Sequence, residues 1–564
     1  MYETLTEEAN TVLNNAFGLN NVSLEWCRPQ DLGHGDVSCA VALRVSKEVG
    51  KKPQEIAKTL CDALSGLEDV EKADVAGPGY VNVWLTPEAL LRELSRVNEA
   101  CTARVKREEQ SVVIDYSAPN IAKPLGIHHI LSTVIGQALV NLHRHQGYET
   151  VGINHLGDWG TQFGKLAVAL KKWGEKGLSE CSLDDLLELY VRFHNEAEND
   201  ESLEDQAREA FKKIEEGDKE LKAFWEEVVR ITMEEIDKLY ERLHVSFDHT
   251  HGESFYEDKM KPIIEEGKDK GVFNEGEKGA LIVEFPEESN LSPAIVLKAD
   301  NATIYLTRDL ATAQYRIKTF HPQEMLYVVD VSQQYYFQQL FATLEQLGWE
   351  LPKLEHVVFG RMSFKDKSMS TRKGNILRLE HVLDEAVQRA EAVIAEHEDS
   401  IQTDDPKELA EMMGVGSVVY GVLSQNRKMN MVFDWDKMLS FDGNSAPYLQ
   451  YTHARAKSVL RKAEVGDVEF PASIGELVDK ERILVGTILE FARVLEEARA
   501  SHMPHLLTNY LFQLCQDYNT FYNDVPILKA EEPSRAFRLA LTQHTASVLK
   551  TGAELLTIRV PERM

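Results

Sequence analysis

The sequence predicts a multidomain α/β protein in which a doubly wound parallel sheet lies between an N-terminal α+β domain and a C-terminal all-α domain. Three observations predict this fold class. The chain has 564 residues, which is too long for one hydrophobic core and suggests about three to five domains. Its middle alternates apolar strand patterns with helical ones. Its last part carries helix-spaced apolar stripes almost without interruption.

Residues 1–105 form the first predicted domain. Gly33-His34-Gly35-Asp36 is typical of a turn, and a second glycine-rich turn precedes the alternating strand Tyr80–Leu85. Strand and helix patterns occur together in this part of the chain. A small α+β domain is therefore expected.

Residues 106–390 carry the predicted parallel sheet. Its first strand is Val112–Tyr116, and a helix with an apolar stripe follows from about His128. Residues 170–275 form an acidic helical insertion. Later strands are expected near Thr150–Asn154, Ala280–Glu284, Ala294–Leu297, Thr303–Leu306, Met325–Val331 and His356–Phe359. Such alternation predicts a parallel sheet whose ligands bind at the carboxyl ends of its strands.

The rest of the chain is predicted to be helical. Residues 391–440 are expected to form a helical connecting segment, and residues 441–564 a separate helical domain. Apolar side chains such as Leu484, Ile488 and Phe491 recur at helical spacing there.

Composition narrows the function classes. A hydrophobic content of 43% with 27% charged residues is typical of a soluble globular protein. The six cysteines form no Cys-X-X-Cys pair, which argues against a zinc site or disulfide framework and fits a reducing cytoplasm. The first residues are too polar for a signal peptide, and no apolar run approaches the roughly 18 residues of a membrane span. A net charge of −30 argues against a polyanionic partner, unless basic residues are concentrated locally.

The stretch Ser117–Gly136 is the best candidate for a nucleotide site. The N–H groups and the dipole at the helix start favour a polyphosphate, Lys123 adds a cation, and Pro119 stiffens the loop. His128 and His129 lie where the loop meets the helix. Taken alone, the stretch is more typical of a proline-bounded connection with two surface histidines.

Two further loops are expected at the same edge of the sheet. Tyr305 and Asp309 follow one predicted strand and suit a cationic group, which the carboxylate could hold bidentately if it is a guanidinium. Gln333 follows the next strand. The alternatives are an N-cap at Thr307, a dipole-favouring acid at Asp309 and a surface amide at Gln333.

The segment Lys367–Asn375 is a hydroxyl-rich, dibasic loop after a predicted strand. It is suited to close over phosphates as a mobile clamp, although a loop of this kind is more often a solvated turn. It is not a Walker loop, because the required earlier glycine is missing, and no Gly-X-Gly-X-X-Gly follows a strand.

A basic helix is predicted near residue 455. His453, Arg455, Lys457, Arg461 and Lys462 crowd onto a few helical turns. In an acidic protein such a helix can contact phosphates locally, and the alternative is a plain solvent-facing helix.

These motifs, in this order, resemble the class I arginyl-tRNA synthetases. The resemblance rests on Asp115–Ser132, Asn154–Phe163, the YLTRD pentapeptide Tyr305–Asp309 and the SMSTRKGN segment Ser368–Asn375. LGHGD and AGPGYVNVWL, near the start, resemble the family's tRNA-contacting N-terminal domain. Gly443–Arg455 resembles the entrance to its anticodon-binding domain. The similarity runs nearly end to end.

The resemblance implies a Rossmann-type catalytic domain that joins L-arginine to tRNA(Arg) at the expense of ATP. Mg²⁺ would be carried with the ATP, and no structural metal is implied. The implied catalytic residues are Lys123, His128, His129, Arg372 and Lys373, and the implied ATP contacts are Pro119, Gly126, His128, His129, Met369, Ser370, Thr371 and Lys373. The implied arginine contacts are Asp115, Asn120, Tyr305, Asp309 and Gln333. The implied tRNA contacts are Tyr448, Gln450, Tyr451, His453, Arg455 and Lys457.

The sequence departs from the family's pattern twice. The first signature, His-X-Gly-His, is spelled Gly126-Ile127-His128-His129, and the opening lysine of the second aligns with Ser368. In this family a lysine at the position of Lys123 is thought to compensate for the second change. The alternative hypothesis is a weakened paralogue that binds tRNA without charging it. We expect a cytoplasmic monomer without membrane attachment.

Overall fold

The computed structural model describes residues 2–29, 31–102, 110–276, 279–299, 305–364, 377–396, 401–440 and 443–564. Among the helices in these ranges, none has both the length and the apolarity required to cross a membrane.

The N-terminal part combines four helices with a small antiparallel sheet, as the sequence predicts for an α+β domain. The strands are ordered β1-β2-β4-β3, and every neighbouring pair is antiparallel. In chain order the elements are α1 (Tyr2–Phe17), β1 (Trp26–Cys27), β2 (Val37–Cys39), α2 (Val41–Val49), α3 (Pro53–Leu64), β3 (Val70–Ala76), β4 (Tyr80–Leu85) and α4 (Pro87–Thr102).

The Gly-His-Gly-Asp turn requires glycine at position 35 for a steric reason. Gly35 has a φ of +87°, and a Cβ atom there would lie 2.6 Å from the carbonyl oxygen of Val83. The next residue, Asp36, accepts a hydrogen bond from the N–H of Leu85 at 2.7 Å. It also receives two hydrogen bonds of 2.8 Å from Arg482 in the helical domain. The turn therefore fixes how the N-terminal sheet meets the C-terminal helices.

The middle of the chain forms the predicted parallel sheet, with strand order β12-β11-β5-β6-β7. Its elements are β5 (Ser111–Asp115), α5 (His129–His145), β6 (Glu149–Asn154), α6 (Thr161–Trp173), α7 (Leu183–Ala197), α8 (Ser202–Glu215), α9 (Lys219–Arg242), β7 (His249–Thr250), α10 (Met260–Asp269), β8 (Phe273–Glu275), β9 (Leu281–Val283), β10 (Ala294–Leu297), α11 (Tyr305–Phe320), β11 (Glu324–Tyr327), α12 (Gln334–Gln346), β12 (Lys353–His356) and β13 (Met362–Phe364). The chain winds outward in one direction through β6 and β7, and in the other through β11 and β12. A ligand crevice is expected where the direction reverses, at the carboxyl ends of β5 and β11.

Three of the strands predicted for the parallel sheet differ in the structure. The strands near 281 and 294 are present, but they belong to a separate antiparallel sheet of β8, β9 and β10. The segment predicted as the strand Thr303–Leu306 includes Tyr305 and Leu306, which begin helix α11. A short apolar run fits a strand or a buried helix end equally well, so periodicity could not separate them.

The C-terminal part is almost entirely helical. Its elements are α13 (Leu379–Glu396), α14 (Pro406–Leu423), β14 (Met431–Phe433), α15 (Trp435–Met438), α16 (Ala446–Ala463), α17 (Asp479–Leu489), α18 (Phe491–Ala500), α19 (His505–Asp524) and α20 (Ser534–Leu555). The connecting segment predicted to be helical also contains a strand, since β14 pairs in parallel with β13.

Alternate residues of β5 enter different cores. Val112 and Ile114 belong to a large cluster that includes α5 and the C-terminal helices, whereas Val113 packs with α11 and α12. A strand buried on both faces explains why β5 is an unbroken apolar run in the sequence.

We expect Gly35→Ala to destabilise the protein by about 2 to 4 kcal/mol. The backbone conformation at Gly35 is unfavourable for a residue with a Cβ atom, and the added methyl group would clash with the carbonyl of Val83. Urea unfolding followed by circular dichroism measures this effect. Gly50→Ala is the matched control, because Gly50 has a φ of +69° but open space around its Cβ position. A cost no larger than that of the control would contradict the steric explanation.

Candidate active site

The loop between β5 and α5 is held in a strained but well-bonded conformation. Ser117, Ala118 and Ala122 all have positive φ values, of 71°, 50° and 65°. The N–H of Ser117 donates to Ser132 Oγ at 2.9 Å, and Ser132 Oγ donates to the carbonyl of Val328 at 2.7 Å. These bonds fix the loop to the first turn of α5 and to the end of β11. Positive φ values at several non-glycine residues are typical of functional loops.

The segment after β6 supports the same loop. Gly157 donates its N–H to the carbonyl of Pro119 at 2.9 Å and accepts from the N–H of Ile121 at 3.1 Å. A Cβ atom at Gly157 would lie 2.5 Å from Asn120 Oδ1. Pro119 is buried and Asn120 is exposed. The glycine therefore allows the two segments to pair closely and presents the Asn120 side chain at the surface of the crevice.

The first signature pairs with residues that directly follow the second. The N–H of Ile127 donates to the carbonyl of Leu377, and the N–H of Leu379 donates to that of Leu125, both at 2.8 Å. Gly126 and Arg378 form an antiparallel bridge between these bonds. Met369, Ser370, Thr371, Arg372 and Lys373 lie outside the described residues.

His129 is held by the backbone of Gly126 at the start of α5. Its Nδ1 lies 3.0 Å from the Gly126 nitrogen and 3.1 Å from the Gly126 carbonyl oxygen, so it accepts from the N–H or donates to the carbonyl according to the tautomer of the ring. Burial, with a contribution from His128, lowers the pKa of His129 to about 4. The exposed His128 ring lies against it, with 4.1 Å between ring centroids.

Lys123 faces the acidic helical insertion. Its Nζ lies 5.3 Å from the centroid of the Tyr190 ring on α7, which is a cation–π distance.

Asp115, at the end of β5, is bound to a buried arginine. Asp115 Oδ2 lies 2.7 Å from Arg316 Nη1, and the Arg316 side chain is completely buried in α11. Asp115 is therefore paired inside the protein, and its expected contact with arginine stays a prediction.

The other expected arginine contacts lie around the crevice at different depths. Asp309 is partly buried in α11 and accepts a hydrogen bond from the Tyr336 hydroxyl. Tyr305 is 70% exposed at the start of the same helix. Gln333 is exposed in the short turn that precedes α12.

The crevice is rich in carboxyl groups. Arg308 lies 3.3 Å from Glu253 and 3.6 Å from Glu257. Burial raises the pKa of Asp309 to about 6 and that of Glu253 to about 7. Repulsion from Asp115 adds to the shift at Asp309, and repulsion from Asp309 adds to that at Glu253. Carboxyl groups with raised pKa values in a crevice favour a cationic ligand, which would stabilise their charged forms.

Several buried polar atoms at this edge have no hydrogen-bond partner among the described residues. They include His155 Nδ1, Tyr256 OH, Glu257 Oε2, Arg308 Nε, Thr312 Oγ1 and Tyr327 OH, and also Nε and Nη2 of Arg316, whose Nη1 faces Asp115. Buried polar groups are rarely left unpaired in proteins. A polar ligand or water in the crevice would supply these partners.

In the helical domain, two of the expected tRNA contacts are internal. Gln450 is completely buried and donates to the carbonyls of Met412 and Arg559 at 3.0 and 2.9 Å. His453 is also buried, with Nδ1 2.9 Å from the carbonyl of Pro561. Both hold α16 against the C-terminal segment, so neither presents its side chain to an external partner. The sequence pattern could not separate the buried face of α16 from its exposed face.

Of the remaining expected tRNA contacts, Tyr451 and Arg455 line a groove of roughly 640 Å³ beside α16. Arg455 lies over the rings of Tyr451 and Tyr522, with 4.6 and 5.0 Å to the ring centroids. Tyr448 lies on the same helix, and its hydroxyl accepts from Asn519 at 3.1 Å. The basic lining residues are Arg455, Arg461, Lys462, Lys529 and Arg563. Lys457 is not among the lining residues and pairs with Glu562 at 3.1 Å. Cations interleaved with aromatic rings suit a nucleic-acid strand.

Comparison with known proteins decides the family. The family described as tRNA synthetases class I (R), catalytic domain, matches residues 93–435. The chain belongs to the class I arginyl-tRNA synthetases. The arginyl-tRNA synthetase N-terminal domain matches residues 3–85, and the DALR anticodon binding domain matches residues 449–564.

Relatives from other organisms agree with this assignment. An arginine–tRNA ligase of Fusobacterium nucleatum is 39% identical over 533 residues, covering 94% of this chain and 93% of the relative. That of Alkaliphilus metalliredigens is 40% identical, covering 92% of each chain. The solved arginyl-tRNA synthetase of Thermus thermophilus superposes with a TM-score of 0.83 at 26% identity and covers 100% of both chains. The resemblance and the fold class predicted from the sequence are confirmed.

Sequence reasoning missed several polar residues of this arginyl-tRNA synthetase crevice. They are Glu253, Arg308, Arg316 and Tyr336. One signal was present: Asp309, Thr312 and Arg316 are spaced at i, i+3 and i+7, which places polar side chains on one face of a helix. Glu253 carries no comparable pattern, because it reaches the crevice only through the fold.

One histidine and carboxylate group has the spacing of metal ligands among the described residues. It consists of His143, Glu324 and His502, whose ligand atoms lie within 4.8 Å of one another. Lys353 Nζ, however, is 2.6 Å from Glu324 Oε1, and His502 Nδ1 is 3.0 Å from Glu355 Oε1. Both carboxylates therefore already have partners, so we interpret the group as part of a network of polar contacts that joins the sheet to the turn after α18.

We expect Arg316→Met to destabilise the synthetase by about 3 to 5 kcal/mol, because it leaves Asp115 buried without its cation. Urea unfolding measures the change. The double variant Asp115→Asn with Arg316→Met should recover more than half of the loss, since it removes both charges. If the double variant were as unstable as the single one, the ion pair would not be the cause.

Proposed function

We propose that the chain is an arginine–tRNA ligase that forms arginyl-adenylate from arginine and ATP and transfers the arginyl group to the 3′ end of tRNA(Arg). The observation that carries this function is the acidic crevice around Asp309, next to the start of α5 in a class I arginyl-tRNA synthetase fold. A carboxylate held by Tyr336 can receive the guanidinium of arginine as a bidentate partner.

The reaction requires no nucleophile from the protein. The carboxylate of arginine attacks the α-phosphorus of ATP and pyrophosphate leaves. A terminal ribose hydroxyl of tRNA then attacks the carbonyl carbon of the adenylate, and AMP leaves. Catalysis consists of positioning the reactants and neutralising phosphate charge, to which Mg²⁺ carried with the ATP contributes.

The first signature and its loop are the proposed ATP contacts. His129 donates from Nε2 to a phosphate oxygen in the tautomer whose Nδ1 accepts from the N–H of Gly126. His128 offers an exposed ring face at the helix start, against which adenine can stack. Pro119 and Gly126 shape the backbone, and Lys123 contributes a positive charge. Met369, Ser370, Thr371, Arg372 and Lys373 complete the proposed set.

Arginine is proposed to be selected mainly by Asp309. Asn120, Tyr305 and Gln333 are proposed to contact the rest of the substrate, as is Asp115, which is paired with Arg316. Lysine has no planar guanidinium and could not bind both oxygens of the carboxylate in parallel. A polar group left unpaired in a buried site is strongly unfavourable, so discrimination can be large.

Transfer RNA is proposed to bind the groove beside α16. The protein's net charge of −30 repels a polyanion as a whole. Arg461 and Lys462, at the end of α16, are exposed, and Tyr451 and Tyr522 offer surfaces for unpaired bases. Local contacts of this kind overcome the unfavourable overall charge.

We also propose a cytoplasmic monomer with domains at 1–105, 106–390 and 441–564, joined by the segment 391–440. The weakened paralogue that binds tRNA without charging it is not favoured, because the relatives over nearly the whole chain are arginine–tRNA ligases.

The test is incorporation of labelled arginine into acid-precipitable tRNA in the presence of ATP, with lysine, glutamine and citrulline as competing substrates. We expect incorporation of arginine alone. Retained tRNA binding on a native gel without incorporation would instead identify the protein as a binding paralogue.

We expect the KM for arginine to rise at least roughly fourfold between pH 7.5 and pH 5.5. Asp309, whose pKa is raised to about 6, takes up a proton as the pH falls and loses the charge that pairs with guanidinium. Initial rates of charging at saturating ATP and tRNA measure this change. Asp309→Asn should raise the KM at pH 7.5 by at least roughly 30-fold and show a much flatter pH profile. An unchanged profile in this variant would assign the titration to another group.

We expect Arg461→Ala with Lys462→Ala to weaken tRNA binding and to reduce its salt dependence by roughly one unit of slope for each phosphate that the protein no longer neutralises. Filter binding at several salt concentrations gives the slope. Lys171→Ala with Lys172→Ala is the control, because these neighbouring lysines are also exposed at a helix end. An equal effect of both pairs would show that only overall charge matters.

A further inference from the structure

Helix α7 of the acidic insertion contacts residues on both sides of the proposed ATP site. Tyr190 lies beneath Lys123, with 5.3 Å from Nζ to the ring centroid. Asp184, in the first turn of α7, has an oxygen 2.5 Å from Arg378 Nη2. Lys123 precedes the first signature and Arg378 follows the second. One helix therefore contacts the flanking residues of both signatures.

The loop that carries Lys123 packs into the core of the insertion. Ile121 and Ala122 are buried in the same apolar cluster as Leu186 of α7. The N–H of Ala122 donates to Thr232 Oγ1 of α9 at 3.1 Å. The position of the insertion is thus transmitted directly to the residue next to Lys123. An insertion that lay only on the surface would not share a hydrophobic core with the active-site loop.

The start of α7 is itself well fixed. Ser182 caps the helix by accepting from the N–H of Asp185, and the Asp185 side chain accepts from the N–H of Ser182 in return. Lys176 lies 3.0 Å from Asp185, and Leu183 is buried. Asp184 therefore projects from a rigid helix end. Such a residue can hold Arg378 more firmly than one on a mobile loop.

Arg378 lies in the segment that follows the second signature in the chain and pairs with the first signature. It bridges Gly126, and its neighbours Leu377 and Leu379 hydrogen-bond to Ile127 and Leu125. A roughly 250 Å³ cavity separates these segments from α7 and α9 and is lined in part by Pro124, Asp184 and Arg378. The ion pair therefore joins α7 to this segment beside the cavity.

We propose that α7 positions the ATP-binding groups of this enzyme: Tyr190 orders Lys123, and Asp184 fixes the segment that follows the second signature through Arg378. Tyr190 and Asp184 are positioning residues and touch no substrate. The inference rests on the proposed role of Lys123 in binding the phosphates of ATP. Because a lysine side chain is flexible, a ring face that favours its ammonium restricts it before ATP arrives.

The experiment measures KM for ATP and kcat of arginine charging at saturating arginine and tRNA. Tyr190→Ala should raise the KM for ATP about three- to fivefold, and Tyr190→Phe, which keeps the ring face, should restore it. In a Lys123→Ala background, Tyr190→Ala should add no further change in KM, because the group that it orders is gone. Glu188→Ala is the control, since Glu188 is an exposed acid on the same helix. Thermal unfolding checks that each variant is folded.

The ion pair is tested by exchange of its charges. Asp184→Arg alone should raise the KM for ATP or lower kcat, and combining it with Arg378→Asp should restore at least half of the loss. Failure of the exchange to restore activity would overturn this half of the proposal.

The outcomes separate this inference from the proposed function. If Lys123→Ala raises the KM for ATP and Tyr190→Ala does not, the positioning role of α7 is wrong and the role of Lys123 stands. If Lys123→Ala leaves charging unchanged, the role of Lys123 and the inference built on it both fail. Additive effects of Lys123→Ala and Tyr190→Ala would also overturn the inference.

Discussion

The buried ion pair between Asp115 and Arg316 is the interaction on which the arrangement of the active site depends. Asp115 ends the central strand β5, and Arg316 lies in the interior of α11. A completely buried guanidinium is tolerated only with a partner, so α11 must cross the sheet at the end of β5. Asp309 lies seven residues, about two turns, before Arg316 on the same helix. The pair therefore determines where the Asp309 carboxylate, the proposed partner of the arginine guanidinium, meets the crevice.

The molecule has an acidic crevice in the catalytic domain and a basic groove in the helical domain. The crevice gathers Asp115, Glu253, Glu257 and Asp309 around two arginines, so it favours a cationic amino acid. The groove beside α16 gathers cations and tyrosines in a protein whose net charge is −30. If tRNA binds this groove as proposed, the acidic body limits nonspecific binding of nucleic acid, because the repulsion is overcome only where the cations are concentrated.

The sequence predicts this fold better than it predicts the site. The run Val112–Tyr116 and the helix that follows it carry periodicities that depend on burial, so their types were predictable. Tyr305 was assigned to a strand because a short apolar run has no period of its own. Arg316 was missed because its partner is 201 residues away in the chain, and Gln450 was misread because charge and polarity do not reveal which face of a helix is buried.

The unusual first signature is compatible with the proposed ATP contacts, because the backbone at Gly126, and not a side chain, holds His129 in place. At the position where the family has its first histidine, the N–H and the carbonyl oxygen of Gly126 both lie against His129 Nδ1, at 3.0 and 3.1 Å. Any residue at 126 except proline would offer both groups, so this contact does not depend on a side chain there. The added ring of His128 lies against His129, and His128 is exposed. The substitution therefore moves an aromatic surface within the signature, and it keeps the histidine whose Nδ1 the loop backbone holds.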